Sequence, residues 1–449
     1  MLPRRYPISH MGAKPFTNPR GTRDLLGENL VLIKHLERTA SMVAAVAGYQ
    51  EVRTPLFEET RLFKRSLGEA SDVVEKEMFS VPRRGSEGAE AMAKGFTFRP
   101  EGTASTARAY VQGGFAASAP LQKWFYIGPM FRYERPQKGR ERQFNQFGVE
   151  AFGAQSASLD SEVVGIAVRF FQELGFDDQL EVRVNSMGDA DDREKWSQVL
   201  REFFTEQMQG SSERCADCQS RYTRNVFRLL DCKSTRCIEL NEGAPNLFAV
   251  MGDEAASHHQ QFIACLNNLG LKVIDDPSIV RGLDYYTRTV FEVHYPPLGA
   301  RSALCGGGRY DGLVEEMGGR PTPGVGFSVG FTPTELALAE LNLPAAADLA
   351  DLRQQLLPQV YGVAVSDEQR DDLFILCEQL RRAGISVELD HRGKSLKAQF
   401  KEANRSGARW AVVLGDSENE NKQIVLKDMQ KKTEQIIAQG DLLTVLKDV

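Results

Sequence analysis

Between Arg132 and Arg142 the chain gathers five cations (Arg132, Arg135, Lys138, Arg140, Arg142) and two acids (Glu134, Glu141) around a loop containing Pro136 and Gly139. A guanidinium grips phosphate or carboxylate through two parallel N–H donors, so this cluster suits an anionic ligand. The plain alternative is a solvated loop. Against it, Arg132 and Glu134 alternate at the end of a predicted strand and share a face, where unpaired charge is costly. Phe144, at the start of the next strand, offers a ring for a planar base. The pattern predicts a nucleoside triphosphate lying on an antiparallel sheet. Neither G-x-x-x-x-G-K-[ST] nor G-x-G-x-x-G occurs, which argues against P-loop and dinucleotide-binding folds.

Three further motifs are ambiguous when taken singly. In Arg99-Pro-Glu-Gly-Thr103 the proline and glycine fix a bend that presents Glu101 and Thr103 together, a pairing suited to an ammonium group. Arg281-Gly-Leu-Asp-Tyr-Tyr-Thr287 is either a ligand site or a packed aromatic corner. Gly306-Gly-Gly-Arg-Tyr310 allows close backbone approach, to a ligand or to another strand. Four cysteines, Cys215, Cys218, Cys232 and Cys237, follow the spacing C-x2-C-x13-C-x4-C. They read either as a structural tetrahedral zinc site or as four reduced, unliganded thiols. The turn residues of a second knuckle are missing after Cys232, and no neighbouring motif opens a catalytic coordination position.

The elements that must position these groups can be read from periodicity. Residues 28–47 form an amphipathic helix stopped by Gly48, and Tyr49–Pro55 a short strand. Strands over Trp124–Arg132 and Phe144–Phe152 flank the basic loop as a long-tipped hairpin. A helix over 159–174 and strands at 180–184 and 289–294 follow. Residues 190–270 are polar and helix-rich and read as an insertion. The last region alternates: strand 360–365, helix 367–383, strand 385–389, helix 394–406, strands 410–414 and 423–427, helix 433–447. That pattern implies a small α/β sandwich on a largely parallel sheet. The expected organisation is an extension at 1–17, a catalytic domain at 18–189 and 271–342, the insertion, a linker at 343–358 and a C-terminal domain at 359–449.

Composition bounds the class. The 449 residues carry 55 Lys+Arg against 61 Asp+Glu, a net charge of −6, with 42% hydrophobic and 26% charged residues, ordinary for a globular chain. No apolar run approaches the ~18 residues of a membrane span, so no membrane partner is expected. The acidity argues against a general nucleic-acid coat while leaving room for a local basic surface. Seven cysteines, an odd number, in a chain this long favour a reduced, cytoplasmic setting. The first 23 residues hold five cations and no acid, and read as a ragged extension, not a targeting signal.

Taken together, Phe131-Arg-Tyr-Glu-Arg-Pro-Gln-Lys-Gly-Arg-Glu-Arg-Gln-Phe144 resembles the second signature motif of class II aminoacyl-tRNA synthetases. With Arg281-Gly-Leu-Asp-Tyr-Tyr and Cys305-Gly-Gly-Gly-Arg-Tyr-Asp, the chain is similar to the histidyl-tRNA synthetase family from about Asn18 to its end. The resemblance implies an α+β catalytic domain on an antiparallel class II sheet, a helical insertion and an α/β anticodon-binding domain. It implies a homodimer that activates L-histidine with ATP and Mg²⁺ and charges tRNA-His. Residue by residue it implies Glu101, Thr103 and Gln146 at the histidine amino group, and Glu150 with Tyr286 at the imidazole. Tyr285 and Tyr310 would line that pocket. Arg132 would hold the α-phosphate, Glu134 and Phe144 the adenine, and Arg140 the γ-phosphate. Arg281 would stabilise charge at the α-phosphorus, with Gln137 and Arg142 near the tRNA acceptor stem.

The third class II motif should end in Gly-x-Glu-Arg, yet the chain reads Gly330-Phe-Thr-Pro-Thr-Glu335, with no Lys or Arg between Arg320 and Arg353. Thr332 to Glu335 reads instead as a capping box that starts the helix late. The second functional reading is therefore a synthetase-like, histidine-sensing regulator with weak or no aminoacylation. A basic run holding Arg392, Lys394, Lys397, Lys401 and Arg405 is either a solvated helix face or an RNA-facing patch of the last domain.

Overall fold

The structure, a computed structural model, describes residues 16–68, 71, 73–83, 85, 94–208, 213–230, 232–279, 285–343 and 346–447. Arg281 and residues 1–15 of the N-terminal extension lie outside the described residues. The chain divides into two units, residues 1–26 with 36–344, and residues 27–35 with 345–449.

In the first unit β1 (Gln50–Glu51) is followed by β2 (Phe57–Glu59), β3 (Ser80–Val81) and β4 (Phe96–Phe98), the last three forming a small sheet ordered β2-β4-β3. Next come β5 (Gln122–Phe131), β6 (Gln143–Phe152), β7 (Glu181–Ser186), β8 (Val273–Asp275), β9 (Thr287–His294), β10 (Ala303–Arg309) and β11 (Gly324–Gly330). With β1 they build an eight-stranded sheet ordered β1-β5-β6-β11-β10-β9-β7-β8. Pairing from β5 through β7 is antiparallel, while the edge strands β1 and β8 are parallel to their neighbours.

Alternation assigns the two faces of this sheet. Phe147, Val149 and Ala151 on β6 and Val325, Phe327 and Val329 on β11 are buried, and Phe147 lies 5.3 Å from Phe170 of the helix Ala157–Glu173. That helix starts at Ser156, whose hydroxyl accepts the Leu159 amide. The opposite face carries Gln146, Glu150, Tyr126 and a succession of glycines.

Three local expectations change. The hairpin strand stops at Phe131, so Arg132 and Glu134 follow the strand instead of alternating within it; at Arg132 the pairing has narrowed to its amide donating to the Arg142 carbonyl. The capping box does not form. The helix begins directly at Phe331 with Gly330 as its cap, because Thr332 donates its hydroxyl to Glu141 and Glu335 is drawn to Arg23 at 2.6 Å. Pro333 occupies the first turn, where a missing N–H costs nothing. The strand expected over Tyr49–Pro55 is only two residues long.

Residues 190–270, within the first unit, contain the helices Ala190–Met208, Ala216–Arg224, Thr235–Glu239 and Asp253–Asn268. The last is tied to Ala157–Glu173 by His258, whose Nε2 is 2.8 Å from Asp160. Burial alone would push the Asp160 carboxyl up; His258, Arg309 and Thr289 outweigh it and hold the group below the usual carboxylate range.

The second unit holds β12 (Val360–Ala364), β13 (Val387–Leu389), β14 (Trp410–Leu414), β15 (Gln423–Asp428) and β16 (Thr433–Ala438), ordered β13-β12-β14-β15-β16. The largely parallel sheet is therefore corrected: β13, β12 and β14 are parallel, β14 to β16 antiparallel. The helix expected over 433–447 is also corrected, to β16 plus a short helix Leu442–Lys447. Asp428 accepts the amides of Gln430 at 2.9 Å and Lys431 at 2.8 Å, and Lys432 turns left-handed at φ 58°, which closes a tight hairpin. Once the chain reverses there, the β-branched residues Thr433, Ile436 and Ile437 favour a strand. The segment 343–358 contains a helix, Ala346–Leu356, whose Leu349 and Leu352 pack on Val31.

Candidate active site

Register across the sheet sets out the site. One row runs Trp124, Glu150, Gly326, Gly308, and the next Tyr126, Gly148, Ser328, Gly306. The glycines are there because large side chains lie across them. A Cβ at Gly326 would overlap the Glu150 carboxylate, one at Gly148 or Gly102 the Tyr126 ring, and one at Gly308 would come within 2.8 Å of Tyr286. The Gly-rich runs thus form the floor beneath bulky pocket residues.

Glu150 is fully buried and receives three hydroxyls: Thr103 at 2.6 Å, Tyr126 at 3.3 Å, and Tyr310. Burial pushes its carboxyl up to about 8, against the pull of those donors, and the neighbouring Glu101 adds to the rise. Glu101 is itself buried and raised; its oxygens accept the amides of Thr103 at 2.6 Å and Ala104 at 3.0 Å, which cap the helix Thr103–Gln112.

In front of these residues opens a cavity of about 530 Å³. Glu101, Thr103, Gln146, Tyr285, Tyr286 and Tyr310 line one part of it; Arg132, Glu134, Arg140 and Phe144 line another. Motifs scattered from Glu101 to Tyr310 are therefore brought together. Gln146 Oε1 is buried and has no hydrogen-bond partner among the described residues, an acceptor left for a ligand donor. Arg132 lines the cavity, uses its Nε on the Pro100 carbonyl at 2.9 Å, lies over the Phe144 ring at 5.4 Å and has one Nη atom 3.9 Å from Glu134. Glu134 is 3.3 Å from Arg140.

Other candidates stand apart from the cavity lining. Glu150 lies behind it, screened by Thr103 and Tyr310. Arg142 stacks on Tyr133 at 4.0 Å and donates to the Glu134 carbonyl, and its amide meets Gly21, so it ties the loop to the N-terminal turn. Gln137 bridges Arg140 at the loop tip. Sequence reasoning missed Tyr126, Ser328, Glu77 and Arg228; Tyr126 supports Glu150, and the other three line the cavity. Tyr126 had a signal, since its strand partner is Gly148. Arg228 had none, lying on the turn Val226–Leu229, far from the other lining residues in sequence.

The four clustered cysteines converge, their sulfurs all within 4.8 Å of one another and three of the four residues buried. The second pair is closed by the helix Thr235–Glu239, which carries Cys237, in place of a knuckle turn. In the second unit, Lys397, Lys401 and Arg405 recur every four residues on the helix Leu396–Ser406 and are exposed, while Gln399 and Ala403 are buried. Glu402 draws in Arg392 at 3.5 Å, Lys394 at 2.9 Å and Arg405, so part of that basic run is neutralised.

A first prediction follows from the floor. Gly326→Ala must displace either the Glu150 carboxylate or the Val149 carbonyl it faces. We expect a loss of stability of about 1–3 kcal/mol, as in overpacked cores, and loss of ligand binding at the polar end. Thermal unfolding and calorimetric titration of that ligand check both, and unchanged binding would remove the floor assignment.

Residues 21–333 match the family model described as histidyl-tRNA synthetase, and residues 359–449 match that described as anticodon binding domain. The chain is 41% identical over 430 residues to a histidine–tRNA ligase of Fervidobacterium nodosum, covering 96% of this chain and 98% of that one. A histidine–tRNA ligase of Crocosphaera subtropica is 41% identical over 94% of this chain and 93% of its own. The apo crystal structure of S. aureus histidyl-tRNA synthetase superposes with a TM-score of 0.78 at 32% identity, covering 96% of this chain and 100% of that one.

Proposed function

The chain belongs to the histidyl-tRNA synthetase family, and we propose that its cavity joins L-histidine to ATP before the histidine passes to tRNA-His. The observation that carries this reading is one sheet face holding a tyrosine-lined polar pocket beside an arginine–phenylalanine shelf. Nothing in the comparisons favours a purely regulatory, histidine-sensing role.

In this reading Glu101, Thr103 and Gln146 receive the histidine ammonium. Tyr286, Tyr285 and Tyr310 enclose the imidazole, with Glu150 as the buried acceptor behind them. ATP enters as its magnesium complex, with adenine on Phe144 and against Glu134, the α-phosphate on Arg132 and the γ-phosphate toward Arg140. A histidine carboxylate oxygen attacks the α-phosphorus, and the bond to the bridging oxygen breaks to release pyrophosphate. A ribose hydroxyl at the tRNA 3′ end then attacks the carbonyl carbon and AMP leaves. No protein nucleophile is required; alignment and cations on developing charge lower the barrier. Arg281 is assigned to that charge stabilisation. Gln137 and Arg142 are assigned to the acceptor-stem side, and Lys397 and Lys401, with Arg392 and Lys394, to the tRNA backbone. A homodimer in the cytoplasm is the expected working form.

The test is histidine-dependent ATP–pyrophosphate exchange followed by charging of tRNA-His. Exchange with histidine and with no other amino acid supports the reading, and its absence in folded protein overturns it.

We also assign one structural zinc to Cys215, Cys218, Cys232 and Cys237. Zinc–thiolate bonds of ~2.3 Å in a tetrahedron place sulfurs closer than about 4 Å, and the Cys215 and Cys232 sulfurs are 3.7 Å apart. When bound it would cross-link the insertion and take no part in the reaction. Elemental analysis is expected to find one zinc per chain; purified protein without stoichiometric metal would refute the assignment.

A further inference from the structure

The third class II motif leaves a gap in charge. Pro333 stands where the family pattern calls for arginine, and it lines the cavity together with Thr332, Gly330 and Ser328, none of them a cation. Arg23, which reaches this corner, is committed elsewhere: its guanidinium is 2.6 Å from Glu335 and 3.1 Å from Glu141. Among the described residues the lining holds four carboxylates (Glu77, Glu101, Glu134, Glu141), and apart from Arg228 its cations are Arg132 and Arg140. Glu141 is answered by Arg23, and Glu134 by Arg140 and Arg132, so this wall holds little positive charge to spare for a triphosphate.

Arg228 redresses this from outside the catalytic sheet. It sits on the single helical turn Val226–Leu229, between the second and third cysteines of the cluster, and lines the same cavity. The turn is rigidly set. Asn225 caps it by accepting the Phe227 amide at 3.1 Å, Phe227 lies 4.8 Å from Trp196, and the Leu229 carbonyl accepts Asn241 at 2.8 Å. Val226 and Leu229 are buried in one core with Cys218, Cys232, Cys237 and Tyr286, so the insertion packs directly on a wall of the pocket. A cation delivered by a pre-set backbone is what stabilising developing phosphate charge requires.

We propose that Arg228 is a phosphate ligand for ATP, supplied by the cysteine-bearing insertion and standing in for the cation absent at position 333. This rests on the adenylation reading above, and wild-type exchange activity tests that reading separately.

The experiment is steady-state histidine-dependent ATP–pyrophosphate exchange on Arg228→Ala and Arg228→Lys, with thermal unfolding as a check on the fold. In Arg228→Ala, loss of a charge-assisted hydrogen bond is expected to raise KM for ATP by about ten- to a hundredfold. KM for histidine is expected to stay within about twofold, and Arg228→Lys, which keeps the charge, to fall between. Adding Pro333→Arg to Arg228→Ala is expected to recover most of the loss. A folded Arg228→Ala protein with unchanged KM for ATP overturns the proposal. An equal rise in both KM values also overturns it, since that marks a residue that only supports the pocket.

Discussion

Glu150→Gln is expected to raise KM for histidine by about a thousandfold or more while KM for ATP moves by no more than a few-fold. A buried pocket made to hydrogen-bond its ligand rejects a mismatch because the groups left unpaired cannot turn to water. Glu150 collects hydroxyls from Thr103, Tyr126 and Tyr310 on both of its oxygens, and an amide replaces one of those accepting oxygens, protonated or not, with an NH2 group that can only donate. The protein should nevertheless fold, since hydroxyls can rotate to accept. Stability should change in a direction opposite to activity. With its carboxyl pushed up to about 8, chiefly by burial, the native state keeps a proton that the unfolded chain releases near 4.5. The contribution of Glu150 is thus fully present below pH 4.5, declines as pH rises, and is gone above about 8, with a slope of up to ~1.4 kcal/mol per pH unit. Glutamine does not titrate. The variant's unfolding temperature should therefore fall less between pH 5 and about 8, and at the alkaline end equal or exceed that of the parent. Matched rises in both KM values would reduce Glu150 to scaffolding; an unchanged pH slope would show that it is ionised in the native state.

Much of this architecture was legible because one face of each central strand is apolar. Phe147, Val149 and Ala151 alternate with Gln146, Gly148 and Glu150, and a strand with one apolar face and one polar face explains that period. The same logic, applied to Gly324-Val-Gly-Phe-Ser-Val-Gly330, would have revealed the floor: bulk on one side, bare backbone on the other. Local signals failed where distant residues competed for the same groups. Thr332 and Glu335 spell a capping box, yet Glu141 and Arg23 take both side chains, and no nearby sequence announces partners so far along the chain. The segment 433–447 has helical spacing, but a hairpin closed by Asp428 recruits its first half as a strand. Composition alone does not tell Arg142 from Arg140 in the basic run, and only the family resemblance gave them different roles; in the structure Arg142 packs on Tyr133 and its amide meets Gly21. Arg228 could only emerge from tertiary structure, because nothing in sequence connects the cysteine segment to the hairpin.

Replacing Arg132 should produce the largest loss of chemistry among the described residues. Its Nε donates to the Pro100 carbonyl at 2.9 Å and its plane lies over Phe144, so the side chain is held before any ligand arrives. Anchoring through Nε leaves the two Nη groups for phosphate oxygens, one of them exchanging its 3.9 Å pairing with Glu134 for the ligand, a division of labour only a guanidinium can perform. Removing a preorganised donor at developing charge costs about 3–4 kcal/mol, or roughly 10²–10³ in rate. Arg132→Ala should therefore slow adenylate formation by at least that factor in single-turnover experiments, with histidine affinity measured by calorimetry nearly unchanged. Arg132→Lys is the sharper variant. Its single ammonium can satisfy Pro100 or the phosphate but not both, and it stacks poorly on Phe144, so it should recover little despite keeping the charge. Near-wild-type rates in Arg132→Lys would mean that net charge in the cavity matters and the fork does not. The weight of phosphate recognition would then shift to the remaining cations of the wall, Arg140 and Arg228.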